Sequence, residues 1–242
     1  MKEQNKSVGI NLRKRTTVIL VRPEKRENIG LVARNMKNTG FENLRLVNVE
    51  RIDQKSYVTA VHAQEILDNI RFCKDMSDAT RDIDVIFAAT SRKRKNFLTL
   101  SLRDAVQKIL SFPPQTKVGL LFGNERTGLT SEELLSSNYR LTIPQASRQP
   151  SYNLASAVLL TLFHIYASDD LKNVEITQEK PLPRKEQEEC IRIILDKLEK
   201  KGFIHKTNKF HVTEMIYDLF GRLSITAKDR KLLLAIFSKI GH

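Results

Sequence analysis

Short apolar runs alternate with amphipathic stretches along most of the chain, beginning at Thr16. Five of these runs predict strands, and the first of them lacks polar alternation and is rich in β-branched residues, which is typical of a strand in a parallel sheet covered on both faces. The predicted strands are residues 17–21, 44–49, 84–89, 117–122 and 139–143. Because helical patterns separate the strands, the sequence predicts an α/β domain with a mostly parallel sheet.

Helical patterns occupy the segments between these strands. Apolar residues recur at i, i+3, i+4 and i+7 from Ile29, with Asn28 as the predicted N-cap of this helix and Gly40 as its left-handed end. Thr130 or Ser131 is expected to cap a short helix whose first turn carries two glutamates, where the helix dipole favours them. Further helices are predicted at residues 57–69, 102–111 and 153–166.

The composition changes after Ser168. The segment that follows is polar and contains two prolines, which indicates a linker, and the rest of the chain shows three helical patterns without a strand pattern. A helical region of about 60 residues is marginally stable alone, so we expect it to dock on a partner. The predicted parts are a basic N-terminal arm (1–15), an α/β domain (16–168), a linker (169–183) and a helical C-terminal domain (184–242).

The composition excludes several classes of protein. A chain of 242 residues that is 40% hydrophobic and 29% charged can bury a core and is not wholly disordered. No apolar stretch reaches the about 18 residues of a transmembrane helix, and the N-terminal segment lacks the apolar centre of a secretory signal. The two cysteines, Cys73 and Cys190, are far apart and form no metal-spaced cluster. We therefore expect a reduced, cytoplasmic protein without a metal or a membrane partner.

The net charge of +13 indicates a polyanionic partner, with nucleic acid ahead of a membrane surface. Residues 1–15 carry +4 of this charge, so the remainder is distributed over the body of the chain. The alternative is a basic protein whose charge serves solubility alone.

Candidate chemistry lies in the loops that follow the strands, because ligands of parallel sheets bind beyond the carboxyl ends of the strands. Gly123 and Gly128 flank one loop and either let the backbone approach a ligand or are ordinary turn glycines. Another loop carries a run of four cations that suits phosphate binding or is a solvated surface: Arg92, Lys93, Arg94 and Lys95. The glycine-rich nucleotide motifs and the common hydrolase and zinc motifs are absent from the sequence.

Three segments in order resemble the motifs of the SPOUT (TrmH-type) RNA 2′-O-ribose methyltransferase family. Residues 28–36 read N-I-G-L-V-A-R-N-M, residues 121–129 read L-F-G-N-E-R-T-G-L, and residues 143–157 include I-P followed by S-Y-N-L-A-S-A. Within the family the chain is most similar to enzymes that act on tRNA, partly through residues 90–92 and residues 219–222 of the C-terminal helices.

This resemblance implies a trefoil-knotted α/β domain that binds S-adenosyl-L-methionine and acts as a homodimer. It implies a set of cofactor-binding residues: Thr90, Ser91, Arg92, Gly123, Ile143, Ser151, Tyr152 and Asn153. It implies a catalytic set: Arg34, Asn28, Glu125 and Asn153. The cationic run from Arg92 to Lys95 would bind RNA.

Arg34 occupies the motif position credited with activating the ribose hydroxyl. Because the free guanidinium has a pKa above about 12, it acts either as a base in a dehydrated, cationic site or as a group that orients the 2′-oxygen and stabilises negative charge. Two positions depart from the family pattern. Glu27 replaces a common glycine before Asn28, and Tyr152 replaces a leucine in the third motif.

The leading hypothesis is an S-adenosylmethionine-dependent tRNA ribose 2′-O-methyltransferase that modifies C or U at nucleotide 32 of the anticodon loop, as the resemblance suggests. A second hypothesis keeps the chemistry and changes the substrate to ribosomal RNA. A third is a non-catalytic RNA-binding protein in which the C-terminal helices do most of the binding.

Overall fold

The structure is a computed structural model that describes residues 12–91, 99–146, 151–168, 180–223 and 225–239. Its α/β domain contains one sheet of seven strands, in the order β3-β2-β1-β6-β4-β7-β5, and all neighbouring strands run parallel. The strands are β1 (Thr16–Val21), β2 (Asn43–Val47), β3 (Arg71–Cys73), β4 (Val85–Ala89), β5 (Thr99–Ser101), β6 (Val118–Phe122) and β7 (Tyr139–Thr142).

Helices cover both faces of the sheet. The helices labelled in the described part of the α/β domain are α1 (Arg26–Thr39), α2 (Gln54–Ala60), α3 (Gln64–Asp68), α4 (Met76–Thr80), α5 (Leu102–Ser111), α6 (Ser131–Leu135) and α7 (Leu154–Ser168). Three follow near the C-terminus: α8 (Arg184–Lys200), α9 (Lys209–Arg222) and α10 (Ala227–Lys239).

The buried strand β1 shows why the sheet needs cover on two sides. Val18 and Leu20 face the core formed with α1, α5 and α7, whereas Ile19 and Val21 face a second core with the α4 and α6 side. Since side chains alternate between the faces of a strand, an unbroken apolar run has no solvent-facing side. The predicted parallel α/β architecture is confirmed.

Local predictions at helix ends had mixed outcomes. Gly40 ends α1 with φ of 76°, and Thr130 caps α6 in a capping box with Glu133, as predicted. Asn28 is not a helix cap, which corrects the prediction. The helix α1 already begins at Arg26 after the extended residue Lys25, so the Asn28 amide is free to bind groups across the sheet edge.

The prediction of a single helix at residues 57–69 is wrong. The segment contains two short helices, α2 and α3, separated at Val61, whose φ of 53° breaks the helix without a glycine or a proline. The strands β3 and β5 were not predicted, because each has three residues and lies at an edge of the sheet, where little of its pattern is apolar.

The C-terminal helices pack on the α/β domain of the same chain. The Arg184 guanidinium, which is 1% exposed, donates to the Leu135 carbonyl at 2.7 Å, and the Arg184 backbone amide donates to the Ile83 carbonyl at 2.8 Å. The Gln187 side chain accepts from Asn138 at 3.0 Å and donates to the Asp84 carbonyl at 3.2 Å. These hydrogen bonds therefore hold the first turn of α8 against the residues that immediately precede β4 and β7.

Candidate active site

A cavity of about 360 Å³ opens at the carboxyl ends of β4, β6 and β7. Its volume is in the range of sites that hold small molecules and cofactors. The loops after these three strands and the segment before α7 form its walls. Six predicted cofactor residues line it: Thr90, Ser91, Gly123, Ile143, Ser151 and Tyr152.

The other predicted site residues are placed differently. Arg92, Lys93, Arg94 and Lys95 lie outside the described residues. Asn153, Asn28 and Arg34 are not part of the cavity wall, although Glu125 is. The wall also contains residues that the motifs did not single out, including Asn124, Leu129, Gln145 and Ala157. The sequence signal that could have identified them was their position beside the motif residues, because a loop that binds a ligand presents several consecutive residues to it.

Gly123 lets the two ends of the loop after β6 approach each other closely. A Cβ atom at this position would lie 2.4 Å from the Gly128 carbonyl carbon and 2.4 Å from the Leu129 nitrogen. Gly128 has φ of 68°, and its amide donates to the Asn124 carbonyl at 2.8 Å. Both glycines are therefore required by a tight turn, and Gly123 also leaves backbone exposed to the cavity.

An ion pair that sequence reasoning missed fixes this turn to β1. Arg22 has φ of 50°, and its guanidinium binds both Glu133 carboxylate oxygens at 2.8 and 2.9 Å. The hydrogen bond and charge of Glu133 raise the pKa of Arg22 despite partial burial. The Arg22 carbonyl accepts from the Asn124 side chain at 2.9 Å. Arg22 thus connects the end of β1 with the glycine loop and α6.

A chain of polar side chains connects the three motifs. The Asn28 amide donates to Glu125 Oε1 at 2.7 Å and accepts from the Asn153 amide at 3.1 Å. Asn153 Oδ1 in turn accepts from the Ala155 backbone amide at 2.9 Å, at the start of α7. Asn28 is 4% exposed, so these bonds satisfy a side chain that is removed from water. Three of the four predicted catalytic residues are in one network.

Glu125 also binds the backbone before α1. Its carboxylate accepts from the amides of Glu24 and Lys25 at 2.8 and 3.1 Å. Burial acts to raise the pKa of Glu125, but the bonds from Asn28 and from the backbone amides outweigh it and hold the pKa below its ordinary value. The carboxylate is therefore ionised at neutral pH and orders the entry to α1.

We expect acid to weaken this network. Since the pKa of Glu125 is lowered by folding, its contribution to stability is present above the ordinary glutamate pKa of 4.5 and is lost as the pH falls through the lowered value. Glu125→Gln removes the charge, so the variant should unfold at a lower temperature than the unmodified chain at neutral pH, and the difference should shrink in acid. Thermal unfolding of both proteins over a pH series tests this. A difference in Tm that does not change with pH would contradict it.

Arg34 is exposed on α1, and it makes no hydrogen bond or ion pair within the described part of the chain. Its neighbour Asn35 donates to the Ala155 carbonyl at 2.9 Å, which ties this turn of α1 to the start of α7. The guanidinium is thus a free cation on a helix whose backbone is fixed close to the Asn28–Glu125–Asn153 network.

The two departures from the family pattern have identifiable contacts. The Glu27 carboxylate pairs with Lys55 at 3.5 Å, and both side chains are exposed. The Tyr152 hydroxyl donates to the Pro144 carbonyl at 2.9 Å, which joins the loop after β7 to the segment before α7. Tyr152 therefore shapes one wall of the cavity, whereas Glu27 points its charge to a lysine on α2.

The cavity combines hydroxyl groups, exposed backbone and apolar side chains. Hydroxyls come from Thr90, Ser91 and Ser151, exposed backbone comes from Gly123, and apolar contacts come from Ile143 and others. Within the described ranges, no cluster of three or more His, Cys, Asp or Glu residues could hold a metal ion. In the same ranges no helix is long and apolar enough to cross a membrane.

Comparison with known proteins gave consistent matches. The model of the SpoU rRNA Methylase family matches residues 15–163. The chain is 30% identical over 226 residues to the tRNA (cytidine-2′-O-)-methyltransferase TrmJ of Methanocaldococcus jannaschii, covering 91% of this chain and 97% of the relative. It is 26% identical to the tRNA (cytidine/uridine-2′-O-)-methyltransferase TrmJ of Sodalis glossinidius, covering 93% and 91%. A crystal structure of TrmJ from Z. mobilis superposes with a TM-score of 0.79 at 28% identity, covering 94% of this chain and 99% of that one.

Proposed function

Because this chain belongs to the SpoU rRNA Methylase family, we propose that it transfers a methyl group from S-adenosylmethionine to a ribose 2′-hydroxyl of tRNA. One observation carries the proposal: the loops after β4, β6 and β7 form a cavity whose Glu125 is hydrogen-bonded, through Asn28, to Asn153. The relatives named as tRNA 2′-O-methyltransferases match over nearly their whole length, including the C-terminal helices.

The cavity suits the cofactor. Gly123 lines the cavity and lets its loop pack against the Gly128–Leu129 backbone, and the hydroxyls of Thr90 and Ser151 can bind polar ends of a nucleoside. Ile143 and Tyr152 provide apolar surface for an adenine ring. When bound, S-adenosylmethionine supplies a methyl group activated by a sulfonium. Asn153 would support this site from outside the wall, through its bond to Asn28.

Arg34 would act on the ribose. When bound, S-adenosylmethionine would give its methyl group to the 2′-oxygen and leave as a neutral thioether, and the hydroxyl proton would pass to solvent water, because the protonated guanidinium of Arg34 cannot accept it. The Arg34 guanidinium donates hydrogen bonds to the 2′-oxygen and stabilises the negative charge that develops on it. Asn28 and Glu125 hold the start of α1, so that the helix backbone that carries this cation is fixed relative to the cavity.

We also propose that the protein is a homodimer. Helices α1 and α7 pack together, and large apolar side chains on them are exposed, namely Leu31, Leu159, Leu160, Phe163 and Tyr166. Phe163 is 56% exposed, and a face of this kind is typical of a protein interface. Arg34 lies on the same helix, so a second copy would lie close to the catalytic cation. Light scattering of the purified protein should give twice the mass of one chain.

Four further properties are proposed on the resemblance. A trefoil knot in the chain after β6 agrees with the position of β7 between β4 and β5, and a cytoplasmic location agrees with a tRNA substrate. RNA would bind through the cations at positions 92–95, which follow the cavity residue Ser91, and through other parts of a chain with net charge +13. Nucleotide 32 of the anticodon loop is the proposed target.

Ribosomal RNA is the second candidate substrate, because the description of the family names it. The match of the C-terminal helices to tRNA enzymes favours tRNA. A non-catalytic RNA-binding protein is the third candidate, and the intact cavity disfavours it, since RNA binding alone does not require a site for a small molecule.

Labelled S-adenosylmethionine and separate pools of unmodified tRNA and rRNA test these candidates. We expect label on tRNA, at a 2′-oxygen that nuclease mapping places in the anticodon loop. If the four cations at 92–95 each contact a phosphate, a fourfold rise in salt should weaken tRNA binding by about 100-fold. Label on rRNA alone would move the assignment to the second candidate. Failure to bind the cofactor would contradict the enzyme assignment.

A further inference from the structure

We propose that the turn between α8 and α9 is a contact surface for single-stranded RNA, with Phe203 and Phe210 stacking on unpaired bases and nearby lysines binding phosphates. We call this surface the stacking turn and define it as residues 201–211. This proposal rests on the proposed function, because it takes tRNA as the RNA that is bound. The contact lies outside the cavity described above.

The aromatic side chains of this turn are unusually open to solvent. Phe203 is 59% exposed and Phe210 is 69% exposed. Neither ring contacts another aromatic ring in the described part of the chain. A single exposed phenylalanine needs no explanation, but two within eight positions offer flat apolar faces that every base can stack on.

The backbone of the turn is fixed, so the rings are held in place before any ligand binds. Gly202 has φ of 72°, and the Phe203 amide donates to the Leu198 carbonyl at 3.0 Å, which ends α8 in a Schellman motif. Ile204 is 5% exposed, so the turn buries one large apolar side chain between the two exposed rings. The Asn208 side chain donates to the Phe203 carbonyl at 3.1 Å. Preorganised aromatic groups lose little entropy when they bind.

The surroundings of the two rings are basic. Residues 196–211 contain two acidic residues and five lysines, namely Lys197, Lys200, Lys201, Lys206 and Lys209. The acids pair with two of these lysines, at 2.7 Å for Lys200 with Asp196 and 2.7 Å for Lys209 with Glu199. Lys201 and Lys206 are exposed, and neither forms an ion pair with a residue that the structure describes. Cations interleaved with exposed aromatic rings are the pattern of single-stranded nucleic-acid binding.

The stacking turn is far from the contact that holds α8 to the sheet. Helix α8 has 17 residues and is therefore about 25 Å long, and Arg184 and Gln187 at its first turns dock beneath β4. The turn is at the other end. An RNA contact at this distance from the docked end of α8 suits an extended polyanion such as tRNA. An apolar protein surface fits less well, because charged side chains lie between the two rings.

Binding of fluorescent tRNA without cofactor tests the proposal. The double variant Phe203→Ala, Phe210→Ala should bind tRNA at least about tenfold more weakly than the unmodified chain. The double Phe→Tyr variant should bind as the unmodified chain does, because it keeps both rings, and the double Phe→Leu variant should resemble the alanine variant. Met215→Ala is a matched control, since Met215 is 56% exposed on α9 beside Glu214 and should leave tRNA binding unchanged.

The outcomes separate this proposal from the proposed function. If the alanine variant and the unmodified chain bind tRNA with equal affinity, the proposed RNA contact at the stacking turn is wrong, even where the chain methylates tRNA. The two exposed rings would then be assigned to a protein contact. An equal loss in the leucine and tyrosine variants would also overturn it, since stacking requires the ring alone. Ring-dependent tRNA binding in a chain that methylates no tRNA would support the stacking turn and contradict the proposed function. The same Tm for all variants shows that they are folded.

Discussion

Replacing Arg34 by alanine should reduce methyl transfer to tRNA by at least about 100-fold, because a cationic hydrogen-bond donor to the developing oxyanion is removed. The cofactor should bind with an unchanged Kd, since Arg34 does not line the cavity. The fold should also be unaffected, because the side chain is exposed and makes no hydrogen bond or ion pair among the described residues. Transfer kinetics with saturating tRNA and cofactor, together with calorimetric binding of the cofactor, measure both quantities.

The chain provides a control for charge alone. Lys37 is an exposed cation one turn further along α1, and its only ion pair among the described residues is with the exposed Glu65 carboxylate, at 2.6 Å. Exposed pairs of this kind contribute little to stability, so Lys37→Ala should stay folded and leave methyl transfer close to that of the unmodified chain. Arg34→Lys keeps the charge but loses the planar arrangement of donors, so it should recover only part of the activity. If Arg34→Ala and Lys37→Ala reduce transfer by the same small factor, Arg34 contributes only to the general attraction of RNA and is not catalytic.

Replacing Gly123 by alanine should weaken cofactor binding at least about tenfold and lower the Tm, because the new methyl group would meet rigid backbone. The Cβ would lie 2.4 Å from the Leu129 nitrogen, so the loop around Gly128 must move away from its place in the cavity wall. Such overpacking costs about 1–3 kcal/mol in well-packed sites. Calorimetric binding of the cofactor and thermal unfolding measure the two effects.

Gly128→Ala is the matched comparison for that experiment. A Cβ at Gly128 has no atom within 4 Å, but the residue has φ of 68°. The strain of a left-handed alanine is about 1 kcal/mol, so this variant should lose stability while changing the Kd for the cofactor less than Gly123→Ala does. A Kd for Gly123→Ala equal to that of the unmodified chain would mean that the cofactor does not bind in this cavity.

The sheet and the cavity wall could be predicted for a clear physical reason. Unbroken apolar runs such as residues 17–21 have only one stable environment, and in a parallel sheet the loops after the strands meet at one edge. Gly123 and Ser151 therefore come together although they are far apart in the sequence. Short edge strands such as Arg71–Cys73 lack a pattern long enough to be recognised.

The network around Asn28 could not be predicted from periodicity. An asparagine ahead of an apolar helical pattern has the features of a helix cap, and the helix starts three residues earlier than that pattern indicates. The contacts of Asn28 with Glu125 and Asn153 depend on how three strands are placed relative to each other. The same holds for the ion pair of Arg22 with Glu133, which joins residues 111 positions apart.

The packing of α8 against the sheet limits how the sequence of this protein can change in evolution. The carbonyls of Ile83, Asp84 and Leu135 and the side chain of Asn138 all use the first turns of α8 as partners. Loss of that helix would take these partners away, at about 1–3 kcal/mol for each group that stays buried. In this chain, a deletion or exchange of the C-terminal helices therefore requires compensating changes in the sheet domain. Drift in the sequence of α8 is constrained at Arg184 and Gln187, which complete the hydrogen bonds of that domain.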